Sequence, residues 1–116
     1  MKYMLLFADD GTERPSPAEI DAMPAFRSWV ADVESRGATH VGTLLRPAEQ
    51  AVTVRVRDGR TLRSDGPFAE TKEHIAGVEI VDCADLDEAI AIAGTHPNAG
   101  RWPIEIRPFW PLSEED

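Results

Sequence analysis

Residues 65–77, with the sequence DGPFAETKEHIAG, form the densest run of conformationally special residues in the chain. An Asp such as Asp65 can accept hydrogen bonds from backbone N–H groups two residues on. Pro67 fixes its own φ and keeps Gly66 out of the α region, and it suits the first position of a short helical turn over residues 68–72. The stretch therefore predicts a rigid corner, followed by a strand from Ile75.

Length and composition fit a single domain. The chain has 116 residues, of which 42% are hydrophobic and 28% charged, as is ordinary for a soluble protein with one core. We expect one domain over residues 1–110 and an acidic tail over residues 111–116. The formal net charge of −9 disfavours binding to a polyanion, so we expect no nucleic-acid partner.

The sequence also bears on location. No stretch approaches the ~20 apolar residues that a membrane-spanning helix needs, and the apolar run after Lys2 ends at Asp9 without the pattern of a signal peptide. We therefore expect a cytoplasmic protein with no membrane partner. Cys83 is the single cysteine; it follows a predicted strand without an obvious activating group, which favours a structural role.

Hydrophobic periodicity and turn residues predict the order strand, helix, strand, hairpin, strand, helix, strand. Capping boxes should start the helices at Ser16 and Asp85, with an interruption at Pro24 and ends at Gly37 and near Ala93. The strands and hairpin arms are expected at residues 2–8, 38–45, 51–57, 60–64, 75–82 and 104–109.

The spacing of apolar residues predicts which helix faces are buried. Trp29 lies off the first stripe and is expected at an edge. The predicted stripes are Ile20, Met23, Phe26, Val30 and Val33 in the first helix and Leu86, Ala89, Ile90 and Ala93 in the second.

This element order is typical of an α+β fold, a ferredoxin-like split βαβ sandwich with an inserted β-hairpin. Right-handed crossovers place both helices on one face of the sheet. The first strand is apolar on both faces, which indicates a central strand covered on both sides. We therefore expect a homodimer in which a second copy covers the free face of the sheet.

The hairpin is the basic region of an acidic chain. Asp58 and Gly59 form its turn signal, and Val52, Val54 and Val56 are expected to point inward. Its arginines are Arg55, Arg57, Arg60 and Arg63. Charged protection of an exposed sheet edge explains them better than an anion site does.

The nine residues DGPFAETKE closely resemble the signature of the DGPF proteins, a branch of the YCII-related families. The resemblance runs from MKYMLLF through VRDGRTLRSDGPFAETKE and DLDEAIAIA to IEIRPF. It implies a dimeric α/β-barrel type of assembly through the sheet, with a pocket near that interface. It also implies a link of some members to alternative sigma factors, and a related dehydrochlorinase suggests acid–base chemistry on small molecules.

One departure from the family pattern matters. Simpler YCII relatives carry a histidine on the first helix, paired with an aspartate, but this chain has no histidine before His40. Only Asp65 matches, through the DGP corner. We therefore predict a ligand site at this corner, with Asp65 as base or orienting acid and with Gly66, Pro67 and Phe68 as ligand contacts.

Other polar residues are candidates for the same chemistry. Glu105 and Arg107 should share one face of the last strand, and with Glu79 they are predicted ligand contacts or ordinary solvated residues. His40, His74 and His96 are candidate general bases. Their spacing predicts no metal site, and the absence of a phosphate loop, dinucleotide fingerprint or nucleophile elbow predicts no cofactor.

Two classes of function remain. The first is a small-molecule enzyme of the lyase or dehydrochlorinase type. The second is a non-catalytic sensor or accessory protein linked to sigma-factor regulation. Fold analogy alone adds a cofactorless oxygenase of the dimeric α/β-barrel kind.

Overall fold

The computed structural model describes residues 1–9, 15–67 and 74–111. Its strands are β1 (Lys2–Asp9), β2 (Thr39–Leu44), β3 (Val52–Arg57), β4 (Arg60–Asp65), β5 (His74–Asp82) and β6 (Ile104–Pro108). Its helices are α1 (Pro17–Ala22), α2 (Pro24–Ser35) and α3 (Leu86–Gly94), with short 3-10 turns at Ala48–Gln50 and Pro97–Gly100.

Four strands form the main sheet, in the order β2-β5-β1-β6. Every neighbouring pair in this sheet is antiparallel. β1 is thus a central strand, as its apolar residues on both faces predicted. The predicted ferredoxin-like α+β arrangement is consistent with this sheet and its helices.

One face of the sheet packs against α2 and α3. Alternate residues of β1 point to this side, and each is almost completely buried. They meet the inward residues of both helices and of β5. The cluster comprises Tyr3, Leu5, Phe7, Trp29, Val33, Ala38, Val81, Cys83, Ala89, Ile92 and Ala93.

The predicted break in the first helical segment is confirmed. The Ser16 side chain accepts a hydrogen bond from the Glu19 backbone N–H at 3.2 Å, which caps α1. Met23 is extended, and Pro24 starts α2 as its first residue. Proline cannot continue α1 because it lacks a backbone N–H, but it suits the start of a new helix.

Two predicted helix faces were wrong in part. Trp29 is only 1% exposed and lies in the core rather than at an edge, because its indole Nε1–H donates to the Ile92 carbonyl oxygen at 2.8 Å. In α3, the Ile92 side chain is completely buried in the core, whereas Leu86 and Ile90 are exposed. Apolar residues flank both possible faces of α3, so helical spacing alone did not distinguish them.

The hairpin of β3 and β4 forms a separate two-stranded sheet. Its turn has positive φ at Asp58 and Gly59, as the sequence predicted. The prediction that its valines point inward was wrong, since Val52, Val54 and Val56 are 48%, 60% and 67% exposed. The alternation marks one face of the hairpin, but that face is not turned toward the core.

The second face of the main sheet carries no helix in the described part of the chain. Met4, Leu6, Val78 and Ile80 are half-buried there, and Val41 is 66% exposed. We call this surface the open sheet face. Among the described residues, no helix is long and apolar enough to cross a membrane.

Candidate functional site

The register of the sheet brings Glu79 to the helix-covered face. Glu79 lies directly opposite Leu5 of β1 and opposite Gly42 of β2. Opposite residues of an antiparallel pair share a face, so Glu79 points to the same side as the buried Leu5. Glu79 is 8% exposed, and it is the charged residue that is buried in the described part of the chain.

Gly42 makes room for this carboxylate. A Cβ atom at position 42 would overlap the Val78 carbonyl oxygen and would lie 2.7 Å from Oε2 of Glu79. Close backbone approach is a common reason for a glycine inside a strand. The absence of a side chain at position 42 therefore lets the Glu79 side chain lie across β2.

His40 completes a buried polar pair. Its Nδ1 lies 2.9 Å from Oε1 of Glu79. The two side chains are 23% and 10% exposed, respectively. His40 is opposite Val81, so it is a diagonal neighbour of Glu79 across the two strands.

Burial raises the pKa of Glu79 above its ordinary value, although the hydrogen bond and charge of His40 act in the lowering direction. A carboxylate removed from water favours its neutral form unless a partner compensates for the lost hydration. His40 is the partner that supplies this compensation. The short contact to His40 therefore offsets part of the cost of burying the Glu79 carboxylate.

An aromatic wall holds the imidazole of His40. The Trp29 ring centroid lies 5.0 Å from that of His40, with 66° between the two planes. Phe26 stacks on Trp29 at 5.8 Å. Because the Trp29 indole is fixed by its hydrogen bond to Ile92, the orientation of the His40 ring is set by α2 and Glu79 together.

His96 lies beyond this wall and has a different environment. Its ring packs against Phe7 at 4.4 Å and Trp29 at 4.9 Å. Its Nδ1 accepts a hydrogen bond from the Asn98 backbone N–H at 3.0 Å. Burial lowers the pKa of His96 to about 4, so the ring is neutral at pH 7 and is suited to a structural cap.

The geometry of the pair defines what it can do chemically. An ionised carboxylate can only accept hydrogen bonds, so Nδ1 of His40 then carries the hydrogen and donates it to Glu79. That arrangement places the lone pair on Nε2, which has no hydrogen-bond partner among the described residues. A fixed tautomer with an available second nitrogen is the arrangement that an imidazole general base requires.

The DGP corner at the end of β4 is built differently. Gly66 has a φ of 95°, a conformation that favours glycine. Its backbone N–H donates to the Ala51 carbonyl oxygen at 2.7 Å, and its own carbonyl oxygen accepts from the Thr53 hydroxyl at 2.8 Å. Ala51 and Thr53, at the start of the hairpin, thus fix the backbone of the corner.

Asp65 itself is exposed at this corner. Its carboxylate lies 3.6 Å from Nη2 of Arg63, and the side chain is 85% exposed. Pro67 follows as another exposed residue. Phe68, the remaining predicted ligand contact of the corner, and the predicted helical turn over residues 68–72 lie outside the described residues.

The other predicted site residues are not gathered with the pair. Glu105 and Arg107 lie on the open sheet face, with Nη1 of Arg107 3.1 Å from Oε2 of Glu105, whereas Glu79 lies on the helix-covered face. His74 is the first residue of β5, opposite Asp9. No group of three potential metal ligands occurs among the described residues.

Sequence reasoning named His40 and Glu79 separately but did not pair them. Their partnership depends on the register of β2 against β5, which periodicity does not fix. Gly42 was the available signal, because a glycine inside a strand indicates close approach by a neighbouring group.

The sheet order and the two packed helices define a small α+β protein of the ferredoxin-like kind with an inward-facing carboxylate–imidazole pair. The chain belongs to the YCII-related domain family, whose model matches residues 1–113.

A relative from Rhizobium meliloti (strain 1021), described as an uncharacterized protein, is 44% identical over 69 residues. The match covers 56% of this chain and 54% of the relative, so it spans about half the length of that protein.

Proposed function

We propose that this YCII-related protein binds a small organic molecule and moves a proton on it, in a reaction of the lyase or dehydrochlorinase type. The observation that carries the proposal is the 2.9 Å contact between Nδ1 of His40 and Oε1 of the buried Glu79. Such a contact orients an imidazole as a general base and stabilises the imidazolium that forms when it accepts a proton.

In this reaction, Nε2 of His40 removes a proton from the carbon atom adjacent to the one that bears the leaving group. The electron pair of the broken C–H bond forms a C=C bond, and the leaving group departs with the electrons of its own bond, as chloride does. Glu79 remains ionised and balances the positive charge on His40. Trp29 acts as a positioning residue, because it contacts the imidazole and is itself held in the core.

Deuterium exchange gives a test that does not require the physiological substrate. The protein would be incubated in D2O with a panel of small carbonyl compounds and chlorinated aliphatic compounds. NMR would follow exchange of activated C–H groups, and a chloride assay would follow elimination. Activity should be abolished in His40→Asn and strongly reduced in Glu79→Gln.

Asp65→Asn provides the matched control, because it neutralises a carboxylate at the other candidate position. Full activity in this variant, together with loss in the two pair variants, supports the His40–Glu79 assignment. Loss in Asp65→Asn alone would instead assign the chemistry to the DGP corner. An unchanged rate in His40→Asn would refute the role of the pair.

We also propose that the protein is a homodimer through the open sheet face. The half-buried apolar residues of that face and the 66% exposure of Val41 support this arrangement, because a second copy would remove them from water. A specific interface should bury about 1,200 Å² or more. Light scattering would measure a dimer for the wild type and a monomer for Val41→Glu combined with Ile80→Glu; a wild-type monomer would refute the arrangement.

A further inference from the structure

We propose that the β3–β4 hairpin binds an extended acidic segment of another protein, which adds as a strand to the outer edge of β3. This function is separate from the proton-transfer site. It rests on the charge distribution of the hairpin and on the surface along its edge.

The register of the hairpin separates its arginines by face. Arg57 lies directly opposite Arg60, and Arg55 lies opposite Leu62. Because opposite residues share a face and alternate residues of a strand do so too, Arg55, Arg57 and Arg60 all project from one face. We call this surface the arginine face.

The positive charge of the arginine face is not balanced within the described part of the chain. Arg55, Arg57 and Arg60 make no ion pair or side-chain hydrogen bond with a described residue. Like charges directly opposite each other, as in Arg57 and Arg60, oppose strand pairing. An acidic ligand would therefore stabilise the arginine face, because no described residue provides a compensating negative charge.

The opposite face of the hairpin provides an internal contrast. Arg63 lies on the same face as the exposed valines, opposite Val54, and its guanidinium lies 3.6 Å from the Asp65 carboxylate. This arginine already has an acidic neighbour. It therefore serves as the natural control for the arginine face.

The outer edge of β3 can accept another strand. In the described part of the chain, β3 pairs only with β4. A surface groove of about 420 Å³ is lined by the consecutive residues Val52, Thr53, Val54 and Arg55. Consecutive strand residues point to alternate faces, so a groove that touches all four runs along the backbone edge.

The geometry also selects a ligand pattern. Arg55 and Arg57 are two residues apart on one strand, or about 7 Å. An added strand presents its own same-face residues at the same interval, so carboxylates at positions i and i+2 would lie beside the two guanidinium groups. Arginine matches carboxylates through paired N–H donors, and main-chain hydrogen bonds to an edge are an established mode of peptide recognition.

An acidic peptide fits this surface better than a nucleic acid does. The hairpin has a net charge of +2 within a chain of net charge −9. A long polyanion would extend past the hairpin and meet the negative remainder of the protein. A short peptide strand places its charge only beside the arginines.

The test uses a fluorescently labelled peptide of alternating glutamate and threonine, with anisotropy measured against the intact protein at low ionic strength. Binding should weaken by roughly tenfold or more in Arg55→Gln combined with Arg57→Gln. It should change little in Arg63→Gln, which alters the opposite face of the same hairpin. Circular dichroism would establish that each variant keeps its fold.

Two further probes separate strand addition from simple charge attraction. N-methylation of every second peptide residue removes the N–H groups on one edge of the peptide strand. Two peptides are compared, one methylated at the odd positions and the other at the even positions. One of them should lose binding, and the other should keep it. A matched peptide with glutamine in place of glutamate should not bind.

Equal loss in Arg63→Gln and in the double variant would overturn the proposal, as would equal binding of the two methylated peptides. The absence of acidic-peptide binding would also overturn it. Tighter binding of single-stranded DNA of the same charge would identify a nucleic-acid surface instead.

Discussion

The two carboxylates at Glu79 and Asp65 have opposite environments in the same protein. Glu79 is buried between two strands and lies 2.9 Å from His40, whereas the Asp65 side chain is 85% exposed and lies 3.6 Å from Arg63. The sequence directs attention to Asp65, which stands in a run of glycine and proline. Glu79 is distinctive only in the folded protein, where the strand register places it beside His40 and its carboxylate is buried.

Local sequence encodes the exposed corner but not the buried pair. A turn is encoded by adjacent residues, so the DGP corner is visible in the sequence. A cross-strand pair joins residues that are 39 positions apart, and only the tertiary fold brings them together. Substitutions in the buried pair and in the exposed hairpin should therefore differ widely in their effects.

The largest expected effect is at the aromatic wall of the buried pair. Trp29→Ala should lower the free energy of unfolding by about 3–5 kcal/mol, because it removes a fully buried indole and leaves a cavity. Val54→Ala on the hairpin should cost less than about 1 kcal/mol, because that side chain is 60% exposed. Urea denaturation followed by circular dichroism would measure both, and similar costs would contradict the assigned packing.

Gly42→Ala should have the next largest effect. The added methyl group meets the Val78 carbonyl oxygen and Oε2 of Glu79, so overpacking should lower the free energy of unfolding by about 1–3 kcal/mol. Gly94→Ala is the control, because a Cβ there has no neighbour within 4 Å. Denaturation that ranks Gly94→Ala as the more damaging change would show that Gly42 does not make room for the pair.

The partly buried ring of His96 predicts a loss of stability in acid. The pKa of His96 is lowered to about 4 from an ordinary 6.5, so the unfolded chain binds a proton in this range before the folded protein does. Stability contributed above pH 6.5 is therefore lost as the pH falls toward 4. Because the ring is only partly buried, we expect about 1–2 kcal/mol rather than the full shift.

The control for this pH effect is His96→Asn, since asparagine can accept the capping hydrogen bond but does not titrate in this range. The raised pKa of Glu79 has the opposite effect on stability, because the folded protein binds this proton at a higher pH than the unfolded chain does. Protonation removes the buried charge, so Glu79 does not contribute to the loss of stability in acid. The comparison between wild type and variant isolates His96. An equally steep acid loss in both proteins would assign the effect to another group.

The smallest expected effect is at the exposed corner. Asp65→Asn should change the free energy of unfolding by no more than about 0.5 kcal/mol, because the side chain is exposed and asparagine keeps the oxygen acceptor. Thermal denaturation of the variant beside wild type would measure it. A loss near the upper end of the ~0.5–2 kcal/mol range of lost caps would mean that the ionised carboxylate stabilises the corner.

Much of the fold was accessible from the sequence because local signals encode it. Ser16 and Pro24 predicted the start and the break of the first helical segment, and apolar residues on both faces of β1 predicted a central strand. The inward face of α3 was not accessible, because apolar residues lie on both of its possible faces and only packing in the core distinguishes them. The exposure of the hairpin valines was also missed, since alternation identifies a face without saying what covers it.

For the candidate site, residue types predicted the participants but not their grouping. His40 and Glu79 were both named, while the contact between them required the register of β2 and β5. His96 had equal standing with His40 in the sequence. Its packing against Phe7 and Trp29, and its lowered pKa, distinguish it only in the folded protein.

The tautomer of the His40 ring shows most directly whether Glu79 orients it, and nitrogen-15 chemical shifts measured by NMR at a pH where the ring is neutral would identify that tautomer. In the wild type, the ring should carry its hydrogen on Nδ1 and its lone pair on Nε2, and this preference should be lost in Glu79→Leu. A wild-type ring that carries its hydrogen on Nε2, unchanged in Glu79→Leu, would show that Glu79 does not orient His40 as a base.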